Sequence, residues 1–233
     1  MKKFLITTLA VIIGATGIIS LVQPTNLALA HKNLSEVRYN LFRGSNDSLS
    51  ATLMTGEREQ DYILNGIAEE LVDFGIITVI FKEPVSALMG SPSYKLTVGD
   101  DYYEGELEKN PFDASYVADI EHKVSDDAQV YLLVEWDTLY ETIKLDAISP
   151  EWQLNWEKAL ETAMDNISDT NFEALVKDGK LNAEVHVKII SDPQGVTNQH
   201  YWYISIYGQN GSVIEMVINP VTSEVVSKRV IQY

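Results

Sequence analysis

The side chains of this chain that could perform chemistry are numerous acids and a few histidines. Its 233 residues include 34 acidic side chains and no cysteine, and the four histidines form no metal-binding H-E-x-x-H pair. No G-x-S-x-G elbow, S-x-x-K pair or phosphate-binding glycine loop is present. We therefore expect no enzyme activity and no cofactor. A hydrolase whose carboxylates or Ser-His-Asp groups meet only in the fold stays open.

Two pairs of adjacent carboxylates are the strongest metal candidates. Asp100-Asp101 and Asp126-Asp127 lie in predicted loops and carry the oxygen ligands that Ca²⁺ prefers. Each pair alone supplies too few ligands, and aspartates are also common turn residues. The sequence therefore favours solvated turns, with a weak surface Ca²⁺ site as the alternative.

Tyrosines offer a candidate binding surface. In the predicted strand 199–207, Trp202 and its alternate neighbours face one way, whereas Tyr201, Tyr203 and Tyr207 face the other. Tyrosine suits recognition because its ring is large and rigid while its hydroxyl stays hydrated. We name this row, with His200 beside it, as the first candidate, and Tyr102-Tyr103 as the second. The alternative is that the row packs on the preceding domain.

Charge limits the partners. The net charge is −17, which disfavours nucleic acids and anionic lipids because both are bound mainly through cations. Basic proteins and divalent cations remain compatible with it. The absence of cysteine excludes disulfides, thiol catalysis and lipid attachment through cysteine.

The N-terminus resembles a secretory signal. Lys2 and Lys3 precede a largely apolar run over 4–22, and Ala28 and Ala30 form an A-x-A cleavage site. We expect cleavage after Ala30 and a secreted protein with no later membrane span. The alternative is an uncleaved anchor with the rest of the chain facing outward, since the apolar run is just long enough to cross a bilayer.

Residues 31–148 read as an all-β domain. Short alternating runs, among them Tyr62–Ala68, Tyr94–Val98 and Val130–Trp136, are separated by turns rich in Gly, Asn, Asp and Pro. Such spacing predicts an antiparallel Ig-like sandwich, with a β-barrel as the alternative.

Residues 149–233 read as a small α+β domain. Ser149 is a good N-cap, Pro150 suits the first helical position, and Trp152, Trp156 and Leu160 recur at helical spacing. Antiparallel strands follow, with Asn210-Gly211 as a hairpin signal. We predict one helix packed on an antiparallel meander.

This second segment resembles a PepSY domain. The resemblance is carried by the helix 156–163 and by the closing hairpin, which runs from Tyr201-Trp202-Tyr203 to Asn219-Pro220-Val221-Thr222-Ser223-Glu224-Val225. Asn219 and Ser223 replace the family's usual Asp and Gly. The resemblance implies an exported domain of the kind found in protease propeptides and envelope proteins, and it carries over no catalytic residue.

Together these features predict an exported bacterial protein that binds a protein or peptide partner, with modulation of a secreted or envelope peptidase as one role. A structural or adhesive envelope component, or a carbohydrate-binding module, is the alternative, followed by a secreted hydrolase with a pocket at the domain junction. The sequence leaves the oligomeric state open.

Overall fold

The chain folds mainly into antiparallel β-sheet. The computed structural model describes residues 25–59, 71–82, 90–149, 152–192 and 199–232. The predicted strand 62–68 and the apolar run 4–22 lie outside these residues. The helices are α1 (Asn26–Lys32), α2 (Trp156–Asn166) and α3 (Asp169–Glu173). The strands are β1 (Leu34–Ser45), β2 (Leu49–Glu59), β3 (Leu71–Phe81), β4 (Ser93–Val98), β5 (Asp101–Glu106), β6 (Glu108–Lys109), β7 (Tyr116–Ile120), β8 (Val130–Trp136), β9 (Leu139–Ala147), β10 (Val176–Lys177), β11 (Lys180–Leu181), β12 (Ala183–Ser191), β13 (His200–Gly208), β14 (Val213–Ile218) and β15 (Val225–Ile231).

Strand β1 connects the whole sheet. Within the described ranges, thirteen strands form one sheet in the order β15-β14-β13-β12-β1-β2-β3-β7-β6, and β5-β4-β8-β9 joins it where β9 pairs with β1. The sheet is therefore nearly closed. Strand β1 also pairs in parallel with β12, so the two predicted segments share one hydrogen-bonded sheet. The alternation of apolar residues did not predict this parallel strand pairing, because a local pattern carries no information on which distant strands pair.

The first core lies between β1-β2-β3-β7 and the four strands β4, β5, β8 and β9. Leu53 of β2 and Leu132 of β8 are fully buried there, together with Phe42 of β1. Strand β8 buries alternate residues, and those between them are exposed or partly exposed, as the period of a strand requires. Residues 130, 132 and 134 thus face the core, and 131, 133 and 135 face outward.

The second core lies between α2 and the strands β12–β14. Trp202, Ile204 and Ile206 face the helix, which confirms the predicted inward side of β13. The predicted helix start was wrong: α2 begins at Trp156 with Asn155 as its N-cap, whose side chain accepts from the Lys158 amide. The backbone N–H groups of 153 and 154 instead donate to the Pro220 carbonyl, which holds this segment against the β14–β15 turn.

Helix α1 is part of this second core. Leu29 and Ala30 are buried, at 9% and 0% exposure, and the His31 ring lies 5.7 Å from that of Trp156. Thr25 caps the helix through a hydrogen bond from the Ala28 amide. The predicted A-x-A site is thus helical and packed in the fold.

No helix in the described part of the chain is both long and apolar enough to cross a membrane.

Candidate functional sites

A row of polar side chains crosses the open face of the C-terminal strands. Register pairs Ser205 of β13 with His186 of β12, and His186 with Glu36 of β1. Alternation in β12 places His186 on the side opposite the buried Val185 and Val187. Its side chain is only 17% exposed, because β1 brings Glu36 to within 3.7 Å of Nδ1 while Glu184 lies 3.5 Å from Nε2.

Glu36 is the electrostatic centre of this row. Its side chain is 12% exposed and contacts the Arg38 guanidinium and the Lys188 ammonium. Burial alone would raise the pKa of Glu36, but His186, Lys188 and Arg38 outweigh it and hold the pKa well below its usual range. The carboxylate therefore stays ionised and joins β1 to β12.

Glu36→Gln is expected to destabilise the fold by about 1.5–3 kcal/mol at pH 7, because it leaves the partly buried cations of Arg38 and Lys188 without their counter-ion. The pKa of Glu36 is lower in the folded state than its ordinary value of 4.5. The ionised carboxylate therefore contributes fully to the free energy of unfolding above pH 4.5, and this contribution is lost as the pH falls below 4.5 toward the folded-state pKa. Urea unfolding at a series of pH values from 7 to 3 should therefore show that the difference in free energy of unfolding between the wild type and Glu36→Gln decreases. Glu184→Gln, at a carboxylate 66% exposed, is the matched control and should change little. A constant difference between the wild type and Glu36→Gln at every pH would contradict this account.

The row contains the residue types of a catalytic Ser-His-acid triad but lacks the hydrogen bond between the serine and the histidine. Ser205 Oγ and His186 Nδ1 are buried and have no hydrogen-bond partner. A triad needs the serine hydroxyl bonded to the histidine and open to substrate. Ser205 is 1% exposed and lies between Tyr203 and Tyr207 on its own strand, and their hydroxyls are 3.3 Å apart. The row in this arrangement is suited to joining strands.

The predicted tyrosine row lies on this same face and is bonded to its own chain. The Tyr203 hydroxyl donates to Glu215 at 2.6 Å, and the Tyr201 hydroxyl donates to Gln199 at 2.8 Å. Burial, and then Glu215, raise the pKa of Tyr203, so it remains a donor. Tyr207 is 39% exposed. The row does not pack on the first core, and its hydroxyls already have partners.

A second tyrosine surface lies on the outward side of β4, β5, β8 and β9. Tyr102 and Tyr140 are 58% and 69% exposed, and Tyr131 is 39% exposed. Tyr102 and Tyr131 both pair with Thr97, which places their strands about 10 Å apart. We call Tyr102, Tyr131, Leu133 and Tyr140 the outer tyrosine face. Among the described residues, none of its three hydroxyls has a hydrogen-bond partner.

The sequence found only one member of this face. Tyr102 was the second candidate, and its ring lies under the Lys95 ammonium at 4.2 Å. Tyr103 turns inward, packs against the first core and stacks on His122. Tyr131 and Tyr140 were missed. The signal that could have found Tyr131 is the alternation of β8, which places it opposite the buried positions.

A cleft of about 390 Å³ lies at the end of β13, where His200 is located. Its walls include Arg43, Trp152 and Pro220, and the Arg43 Nη2 atom lies 3.5 Å from His200 Nε2. Burial, and then Arg43, lower the pKa of His200, so the imidazole is neutral at pH 7. The structure thus separates His200 from the tyrosine row and places it beside a cation.

The predicted calcium candidates stay apart. Asp100 lies in the β4–β5 turn and Asp101 begins β5, whereas Asp126 and Asp127 lie in the loop before β8; all four are exposed. Asp127 accepts a hydrogen bond from the Ser125 hydroxyl. Across the described ranges, no three His, Asp or Glu side chains come together as metal ligands.

No family model matches the chain, and no curated protein or solved structure is significantly similar to it.

Proposed function

We propose that this is an exported, non-catalytic protein that binds a protein partner through the outer tyrosine face. The observation that carries the proposal is that Tyr102, Tyr131 and Tyr140 are exposed on one side of one sheet, with hydroxyls that have no partner among the described residues. Three of the eight exposed large hydrophobic side chains in the described ranges lie on this face.

The chemistry of the face suits a protein partner with basic groups. Tyrosines supply large apolar contacts with few rotatable bonds, and their free hydroxyls can bond across an interface. The outward positions around them carry the exposed carboxylates of Glu104, Glu106 and Glu135 and the exposed ammonium groups of Lys95 and Lys144. In a chain with a net charge of −17, the excess of carboxylates favours a basic partner. A secreted or envelope peptidase is the partner class we propose to test first.

The same proposal includes a fold assignment for each of the two segments. The first part of the sheet would act as an Ig-like sandwich, and 149–233 as a PepSY-like domain that shares strand pairing with it. The antiparallel layers around the first core support the former, and the helix on the β12–β15 meander supports the latter.

The double variant Tyr131→Ala/Tyr140→Ala is expected to weaken partner capture at least tenfold, because central tyrosines commonly contribute more than 1.4 kcal/mol each to an interface. The measurement is recovery of crosslinked partners from cells that export the tagged protein, together with inhibition assays on their secreted peptidases. Tyr201→Ala/Tyr207→Ala, on the opposite end of the sheet, is the matched control. Equal capture by both double variants would contradict the assignment of the outer tyrosine face.

A carbohydrate ligand is the second candidate, favoured by the arrangement of the exposed rings. Tyr102 and Tyr131 lie on either side of Thr97 on one sheet surface, where two rings could contact successive sugar units. Binding of purified cell-wall polysaccharide to the wild type, lost in Tyr131→Ala, would establish this alternative in place of a protein partner.

A further inference from the structure

The cleft beside β13 holds a cation, Arg43, that has no ion pair within the described ranges. Arg43 is exposed and makes no ion pair with any carboxylate in the described parts of the chain. Its cross-strand neighbour is Asp146, whose carboxylate bonds the Lys144 ammonium. Acids outnumber basic residues 34 to 17 in this chain, so an arginine without a carboxylate beside a neutral histidine is unusual.

The part of the cleft wall formed by residues 219–222 is held in place by hydrogen bonds. The Asn219 side chain accepts from the Val221 and Thr222 amides at 2.9 and 3.1 Å, which fixes the turn after β14. The Pro220 carbonyl accepts from the amides of 153 and 154 at 3.0 and 3.1 Å. This links the turn to the segment that carries Trp152, so the cleft does not need to be ordered by its ligand.

The apolar part of the cleft comes from Trp152, Pro220 and Ile148. The Trp152 ring packs edge-on against Trp202 at 5.2 Å, which fixes its orientation. A ligand in the cleft would therefore contact both apolar side chains and a guanidinium. The Arg43 guanidinium bonds carboxylates with a planar fork of N–H donors, which a lysine lacks.

We propose that this cleft binds the carboxylate of a peptide, with the adjoining apolar side chain against Trp152 and Pro220. The carboxylate would come either from the C-terminus of the peptide or from an Asp or Glu side chain within it. Arg43 would bond the carboxylate directly, and His200 would orient the guanidinium through the contact at 3.5 Å. The site is separate from the outer tyrosine face and does not depend on it.

Isothermal titration of the full chain with three acetylated peptides tests the proposal. These are Leu-Phe with a free C-terminus, Leu-Phe amide, and Leu-Asp-Phe amide. We expect at least one acidic peptide to bind ten times or more tightly than Leu-Phe amide, and Arg43→Ala to remove that difference. Whichever acidic peptide binds identifies the source of the carboxylate. Arg43→Lys should bind with intermediate affinity, because it keeps the charge and loses the fork.

Lys95→Ala is the matched control, since it removes one exposed cation from the outer sheet surface and should leave peptide affinity unchanged. Tyr131→Ala/Tyr140→Ala should also bind the peptides as the wild type does, which separates this test from that of the proposed function. Equal affinity for the acids and the amide would overturn the proposal. It would equally be overturned by no binding of either acid at millimolar concentration, or by wild-type affinity in Arg43→Ala.

Discussion

A chain that begins at His31 is expected to be less stable than one that begins at Thr25 by about 3 kcal/mol or more, because losing a buried leucine alone costs about 2–5 kcal/mol. The shorter chain lacks the buried pair Leu29 and Ala30, the partly buried Leu27 and the N-cap of α1. Denaturant unfolding of the two chains measures the difference. The outcome bears on export, because cleavage after Ala30 would remove part of the second core.

Leu29→Ala in the longer chain is the companion variant. It should account for much of the loss of stability, whereas Asn26→Ala, at a partly exposed position of the same helix, should change stability by less than about 0.5 kcal/mol. If the chains that begin at Thr25 and His31 unfold at the same denaturant concentration, α1 does not contribute to the core. If they differ as expected, cleavage after Ala30 would cost the second core that part of its stability.

Trp202→Ala is expected to cost about 3–5 kcal/mol, the usual range for removing a large buried aromatic side chain. Trp202 is 1% exposed, packs against Trp152, and donates from Nε1 to the Leu154 carbonyl at 3.0 Å. It thereby connects β13 to the segment that leads into α2. Thermal or urea unfolding, followed by circular dichroism, provides the measurement.

Trp202→Phe separates packing from hydrogen bonding, since it keeps an aromatic ring and removes the donor. It should cost about 1–3 kcal/mol, the usual penalty for leaving a buried acceptor unsatisfied, plus a small cavity. Tyr131→Ala, at an exposed aromatic residue, is the control and should stay within about 0.5 kcal/mol of the wild type. A Trp202→Ala protein as stable as the control would show that Trp202 does not hold the second core together.

Local sequence patterns predicted individual strands well, but they did not predict which strands pair with each other. The strand Val130–Trp136 has the predicted bounds because alternation and flanking turns specify it locally. The parallel pairing of β1 with β12 depends on residues about 150 positions apart, which no local pattern records. The start of α2 was misplaced because Ser149 and Asn155 are both good caps, and the bond from the 154 amide to Pro220 decides between them.

For the candidate sites too, the sequence predicted residue types but not the contacts between distant residues. Tyrosines were predicted as candidate contact residues, but the sequence could not say which hydroxyls have hydrogen-bond partners. Glu215 reaches Tyr203 only because β13 and β14 pair, and Glu36 reaches His186 only through β1 and β12. Arg43 and His200 are 157 residues apart, so their cleft had no sequence signal.

The most direct test of the proposed function is photocrosslinking from within the outer tyrosine face. A benzophenone amino acid replaces Tyr140, which is 69% exposed, or Val226 of β15, which is 52% exposed at the far edge of the sheet. The protein is then exported by living cells and irradiated. Our account predicts a discrete crosslinked protein from position 140 and none from position 226. Absence of any crosslinked protein at 140, or the same products from both positions, would contradict it.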